Sequence, residues 1–88
     1  MKVIAKSVEV VAWFEKKGNI NPIRFRMECE DSSYKVIKID KILFRDKEKI
    51  AGNIMQVFRC SSLIDGVQKV YELKYEISTS RWILFKSE

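Results

Sequence analysis

From Ile23 to Glu30 apolar and charged residues alternate without a break: Ile-Arg-Phe-Arg-Met-Glu-Cys-Glu. Successive side chains of a β-strand point to opposite faces. This period of two therefore predicts a strand with one face in a core and the other in water. The alternation returns from Lys69 to Ile77, where Tyr71, Leu73, Tyr75 and Ile77 interleave with Val70, Glu72, Lys74 and Glu76. On this reading Phe25, Met27, Cys29, Tyr71, Leu73 and Tyr75 belong to a core, while Arg24, Arg26, Glu28, Glu72 and Lys74 face solvent.

The rest of the chain reads as further strands. The first, Val3 to Lys16, is rich in β-branched residues and closes at Lys17-Gly18-Asn19. A helix is the alternative there, since Ile4, Val8, Val11 and Ala12 also fall at helical spacing. Tyr34 to Phe44 is a third strand whose pattern breaks at Ile37-Lys38-Ile39, as expected for a bulge at a barrel corner. Arg45 to Ile50 is a charged tip with room for one helical turn. Ile54 to Cys60 follows, then the hairpin signal Asp65-Gly66, then Lys69 to Ile77, and Arg81 to Lys86 closes the chain. Six short strands joined by tight turns predict a single all-β domain over residues 1–88, an antiparallel meander closing into a barrel or half-open barrel.

Four of these strands are apolar on both faces: Val10-Val11-Ala12-Trp13-Phe14, Ile42-Leu43-Phe44, Ile54 to Phe58, and Trp82-Ile83-Leu84-Phe85. One barrel interior cannot hold both faces of four strands. Either the outer apolar residues lie under loops or they meet another chain. With few long loops, a homodimer or a protein partner is the expectation, with Trp13 and either Trp82 or Phe85 as anchors, because large aromatics dominate interface energetics.

Composition narrows the chemistry. The chain has no histidine, which removes imidazole bases, His-assisted nucleophiles and the commonest metal ligand. Glu28 and Glu30 share a strand face at about 7 Å, but they only continue a solvated charged stripe. Three glycines build no phosphate loop. Cys29 and Cys60 are too far apart for a metal motif and read as core thiols of a reducing cytoplasm. No cofactor, metal, membrane segment or small-molecule substrate is indicated, and the expected location is cytoplasmic.

Residue pattern alone therefore favours a non-enzymatic binding module over an enzyme. The second reading is single-stranded nucleic acid, suggested by a net charge of +5 and by an aromatic neighbour beside every arginine. Arg24, Arg26, Arg59, Lys35 and Lys74 are the candidate phosphate contacts. The pleat opposes that reading, because arginines outside place their neighbouring aromatics inside.

Pro22-Ile23-Arg24-Phe25-Arg26, Tyr34-Lys35-Val36 and Arg81-Trp82-Ile83-Leu84 together resemble a family of small all-β bacterial domains. Those domains carry a Pro-x-Arg-Phe-Arg strand, a Tyr-x-Val strand and a closing Trp-x-Leu. Some relatives are appended to Y-family polymerase-like repair proteins, and others stand alone. The resemblance implies the fold and assigns no catalytic residue.

Overall fold

In the computed structural model, which describes Met1–Glu88, the chain forms seven strands and no helix. They are β1 (Lys2–Phe14), β2 (Ile20–Glu28), β3 (Tyr34–Lys38), β4 (Lys41–Ile50), β5 (Asn53–Ile64), β6 (Val67–Glu76) and β7 (Arg81–Ser87). Every pairing is antiparallel, and the sheet order is β3-β2-β1-β7-β6-β5-β4. This is a meander whose last strand returns to the first. The sheet curls into a half-barrel whose remaining opening lies between β3 and β4–β5.

The expected six strands become seven because the third one breaks at Ile39-Asp40. Its first half stays on β2 through Ile39 N–H to Ile23 O (2.9 Å), and its second half joins β5 through Asp40 N–H to Ser61 O (3.0 Å). The corner lies where the alternation fails. Its phase, however, is opposite to the expected one: Ile37 and Ile39 point inward, while Tyr34 and Val36 are exposed. The charged tip is not helical. Arg45 to Ile50 continues β4, paired residue by residue with β5 and closed by Ala51-Gly52. Ala51 and Gly52 both have positive φ, as do Asp65 and Gly66, the signature of the tight turns whose twist suits a two-residue hairpin.

The core is an inward-facing cluster around Phe25, Phe58, Cys60, Tyr71, Leu73, Trp82 and Leu84. Its rings meet edge-on or tilted: Phe25–Tyr71 at 5.4 Å, Phe58–Trp82 at 5.6 Å and Tyr75–Trp82 at 4.8 Å between centroids. Edge-to-face contacts of this kind add to the area term that dominates so small a domain. Met27 and Cys29, expected inside, are only half-buried, because they lie at the open end of the half-barrel and beyond β2.

Four bulges reset the pleat. Each inserts one unpaired residue: Ile23 on β2, Leu43 on β4, Phe85 on β7, and one in the Val3–Lys6 stretch of β1, where Ala5 has φ +51°. The bulge at Ile23 explains why Pro22 and Phe25 are both buried while Ile23 is exposed, although strict alternation puts Ile23 with Phe25.

Candidate interaction surface

The pleat sorts the arginine–aromatic pairs as expected at four arginines. Phe25, Phe58 and Trp82 point into the core, and Arg24, Arg26, Arg59 and Arg81 stay exposed. Phe44-Arg45 is reversed by the bulge at Leu43. Phe44 is exposed, whereas the Arg45 guanidinium lies 5.5 Å from the Phe58 ring centroid and donates to Ile20 O (2.6 Å) and Asn21 Oδ1 (2.5 Å). Arg45 thus ties β4 to the start of β2 and closes one end of the half-barrel.

Outward faces differ sharply between the two parts of the sheet. On β4–β7, Glu72 and Lys74 are each 7% exposed. Both were expected in solvent. The Lys74 ammonium donates to Glu48 Oε2 at 2.9 Å and sits 3.6 Å from the Phe85 ring centroid. Glu72 Oε2 lies 3.5 Å from Arg59 Nη2. Glu48 of β4, Arg59 of β5 and the bulged Phe85 close over the centre of β6, so its charges are paired, while Phe44 and Leu63 farther out on the same face stay exposed.

On β1–β3 nothing covers the outward side. Glu9, Val11 and Trp13 of β1 stand beside Arg26 and Arg24 of β2, and those stand beside Val36 and Lys38 of β3. Trp13 and Val36 are each 63% exposed, and Val11, Ile23 and Tyr34 are exposed beside them. Glu9, Val11, Arg24, Arg26 and Val36 line a shallow groove of about 230 Å³. Arg26 is held upright: its Nε donates to Glu9 Oε1 at 3.0 Å, and its guanidinium lies 4.5 Å above the Tyr34 ring. The Glu9 hydrogen bond and charge raise the Arg26 pKa further above its already basic value.

The structure separates the residues that sequence reasoning grouped. Trp13 is exposed, but Trp82 is 8% exposed, packed on Phe58 and Tyr75, and is no surface anchor. Phe85 is half-buried under Lys74 at the far end of β1 from Trp13, roughly 30 Å away at 3.3 Å per residue. Of the candidate phosphate contacts, Arg24 and Arg26 lie together on the open face. Arg59 and Lys74 belong to the covered face and already have carboxylate partners. Lys35 points to the inner side with Met27, its ammonium 2.6 Å from Asp65 Oδ2. Lys38 and Tyr34 were missed; they share the open face only because the third strand runs in the opposite phase.

No chemistry of the catalytic kind emerges from the buried polar groups. Burial pushes the Cys60 thiol up to about 12, so it is an inert core residue. Burial also raises Tyr71, whose hydroxyl meets Ser62 Oγ at 2.5 Å while Ser62 donates to Lys38 O at 2.6 Å. Glu28 ends β2 and Glu30 lies in the following turn, and no group of three His, Cys, Asp or Glu side chains is placed to hold a metal ion. No helix is long and apolar enough to cross a membrane. Comparison with protein-family models, curated proteins and solved structures gives no match.

Proposed function

We propose that this protein is a cytoplasmic, non-enzymatic protein-interaction module that docks through the outward face of β1–β3, first of all onto a second copy of itself. One observation carries the reading: Trp13 stands 63% exposed on the same uncovered face as Val11 and Val36, whereas the outward Glu72 and Lys74 at the centre of β6 are buried by Arg59, Glu48 and Phe85. Exposed apolar side chains interleaved with charge on an uncovered face offer surface that a partner can bury. Glu9 and Arg26 form an exposed pair on this face, which a two-fold mate could meet with the same pair reversed. Sedimentation equilibrium at tens of micromolar checks this. The wild type is expected to associate and Trp13→Ser to sediment as a monomer; a monomeric wild type defeats the self-association version.

A second reading is single-stranded nucleic acid on the same face. Arg24, Arg26 and Lys38 share it with Tyr34 and Trp13, which joins phosphate-binding charge to rings on which bases stack. Fluorescence anisotropy with short oligonucleotides separates the readings. Salt-sensitive binding lost in Arg24→Glu with Arg26→Glu would place nucleic acid first, and no binding at low salt would dismiss it.

A further inference from the structure

The open end of the half-barrel holds a second recess, on the inner side and away from the β1–β3 outer face. Its volume is about 250 Å³. The floor is the core itself, with Ile37 and Leu84 buried beneath it and Met27 and Ile64 on the wall. Three lysines from three strands form its rim: Lys6 of β1, Lys35 of β3 and Lys69 of β6. All three are half-buried, whereas most of the other lysines of the chain are exposed. Their stems therefore lie along apolar wall and their ammonium groups sit at the rim.

Asp65 is the one carboxylate against these three lysines, bonded to Lys35 and within reach of the Lys69 charge. Lys6 donates to the main-chain oxygen of Glu28, a neutral acceptor, and Lys69 is in none of the four ion pairs. The polar groups beneath are satisfied internally, the Tyr71 hydroxyl by Ser62. An apolar pocket whose lip carries three lysines against one aspartate is complementary to an apolar tail with an anionic head.

We propose that this lysine-rimmed mouth binds a medium-chain acyl carboxylate, its carboxylate at Lys6 and Lys69 and its chain against Met27, Ile37, Ile64 and Leu84. At about 30 Å³ per water-sized group, the volume takes a tail of roughly six to ten carbons.

The test is a methyl-detected NMR titration of the whole chain with octanoate, octanol and octyltrimethylammonium. Octanoate is expected to saturate and to move the methyl signals of Met27, Ile37, Ile64 and Leu84. Octanol is expected to bind about tenfold more weakly or worse, the size of one charge-assisted hydrogen bond, and the cation not at all. Lys6→Gln with Lys69→Gln removes charge without filling the pocket, and should weaken octanoate by a similar factor while leaving the octanol shifts and the melting temperature in place. Octanol binding as tightly as octanoate, octanoate shifts confined to the outer face of β1–β3, undiminished octanoate affinity in the double variant, or no shift at millimolar octanoate would each overturn the proposal. So would attachment to anionic lipid vesicles without octanoate binding, which would make the rim a membrane contact instead.

Discussion

The outward faces of β4–β7 and β1–β3 are built from similar residues and end in opposite states. Each mixes aromatics with both signs of charge. On β4–β7 the lysine and glutamate at the centre of β6 are nearly as buried as the core, paired with Glu48 and Arg59 and capped by the Phe85 ring. On β1–β3 a tryptophan and a valine of the same pleated surface stand in water. Composition does not separate them. The side chains that converge on each face do: Glu48, Arg59 and the bulged Phe85 close over the centre of β6, whereas none closes over Trp13 or Val36.

A covered charged face and an uncovered apolar face on one small domain point to different pressures. The first is finished within the chain. The second gains by meeting something else, because leaving large apolar side chains in water forgoes about 25 cal/mol for every Å² that a partner would bury.

Breaking the covered face should cost most. Lys74→Ala leaves the half-buried Glu48 without its partner and opens the space beside Phe85, and loss of such a charged hydrogen bond is worth about 1–3 kcal/mol. Urea denaturation is expected to show that loss. Lys74→Met combined with Glu48→Gln, which removes both charges but keeps the packing, should recover most of it. If Lys74→Ala is silent, the covered face contributes no more than an ordinary surface.

The next effect has the opposite sign. Ala5, in the β1 bulge against β7, holds φ +51°, a conformation that favours glycine. Ala5→Gly should raise stability by about 1 kcal/mol, since the left-handed region costs an L-residue that much, less what glycine loses in the unfolded chain. A lower midpoint in denaturant would show that the Ala5 methyl packs usefully.

Much of this was legible in the sequence, and the failures share a cause. Strict alternation gave β2 and β6 with Phe25, Tyr71, Leu73 and Tyr75 inside, because a half-buried strand leaves a period-two trace. The Asp65-Gly66 hairpin was equally clear, since few residues tolerate its φ values. Ile23, Tyr34 and Val36 lie on the side opposite to the expected one, each on a strand whose phase is set beyond its own alternation, and Trp82, inside as the pleat argument has it, is lost as the alternative anchor to Phe85. An inserted residue flips every side chain past it, and bulges leave no fixed residue signature. Lys74 and Glu72 were read correctly as outward and wrongly as exposed. Lys74 is covered by Phe85 and by Glu48, which lies in a segment whose run of charge hid its strand, and Glu72 is paired with Arg59. The lysine-rimmed mouth joins residues 6, 35 and 69 and has no local trace at all.

A smaller effect belongs to the seam between β3 and β5, where side chains take over from the backbone ladder. Asp40 Oδ2 accepts from Leu63 N–H at 2.8 Å, and Lys35 meets Asp65 at 2.6 Å. The Lys35 hydrogen bond and charge hold the Asp65 carboxyl below its usual value. A carboxyl depressed in the folded state stabilises it above the unfolded pKa, near 3.9, and that share is lost as pH falls through the lower folded value. Asp65→Asn should therefore lower stability slightly at neutral pH, as loss of an exposed pair does, and the difference from wild type should shrink as pH falls below about 4 and disappear below the lowered folded value. Thermal melts across that range check it. A penalty that persists in acid would assign the effect to the turn rather than the pair.

The smallest effect on stability is expected at the residue of greatest functional interest. Trp13 extends from the end of β1, paired through its backbone with Asn21, and its ring makes none of the aromatic contacts that knit the core. Trp13→Ser removes a ring that is already mostly in water, so the unfolding free energy should change by no more than about 0.5 kcal/mol at concentrations where the chain is monomeric. The proposed association should be lost in the same variant, because a central aromatic anchor carries a disproportionate share of interface energy. Denaturation measured at two protein concentrations joins the observations: the wild-type midpoint should rise with concentration and the Trp13→Ser midpoint should not. Equal midpoints for the wild type at both concentrations would leave the open face of β1–β3 without a second copy to cover it. A large loss of stability in the dilute variant would instead mean that Trp13 serves the fold, and the contrast between the two outward faces would lose its functional meaning.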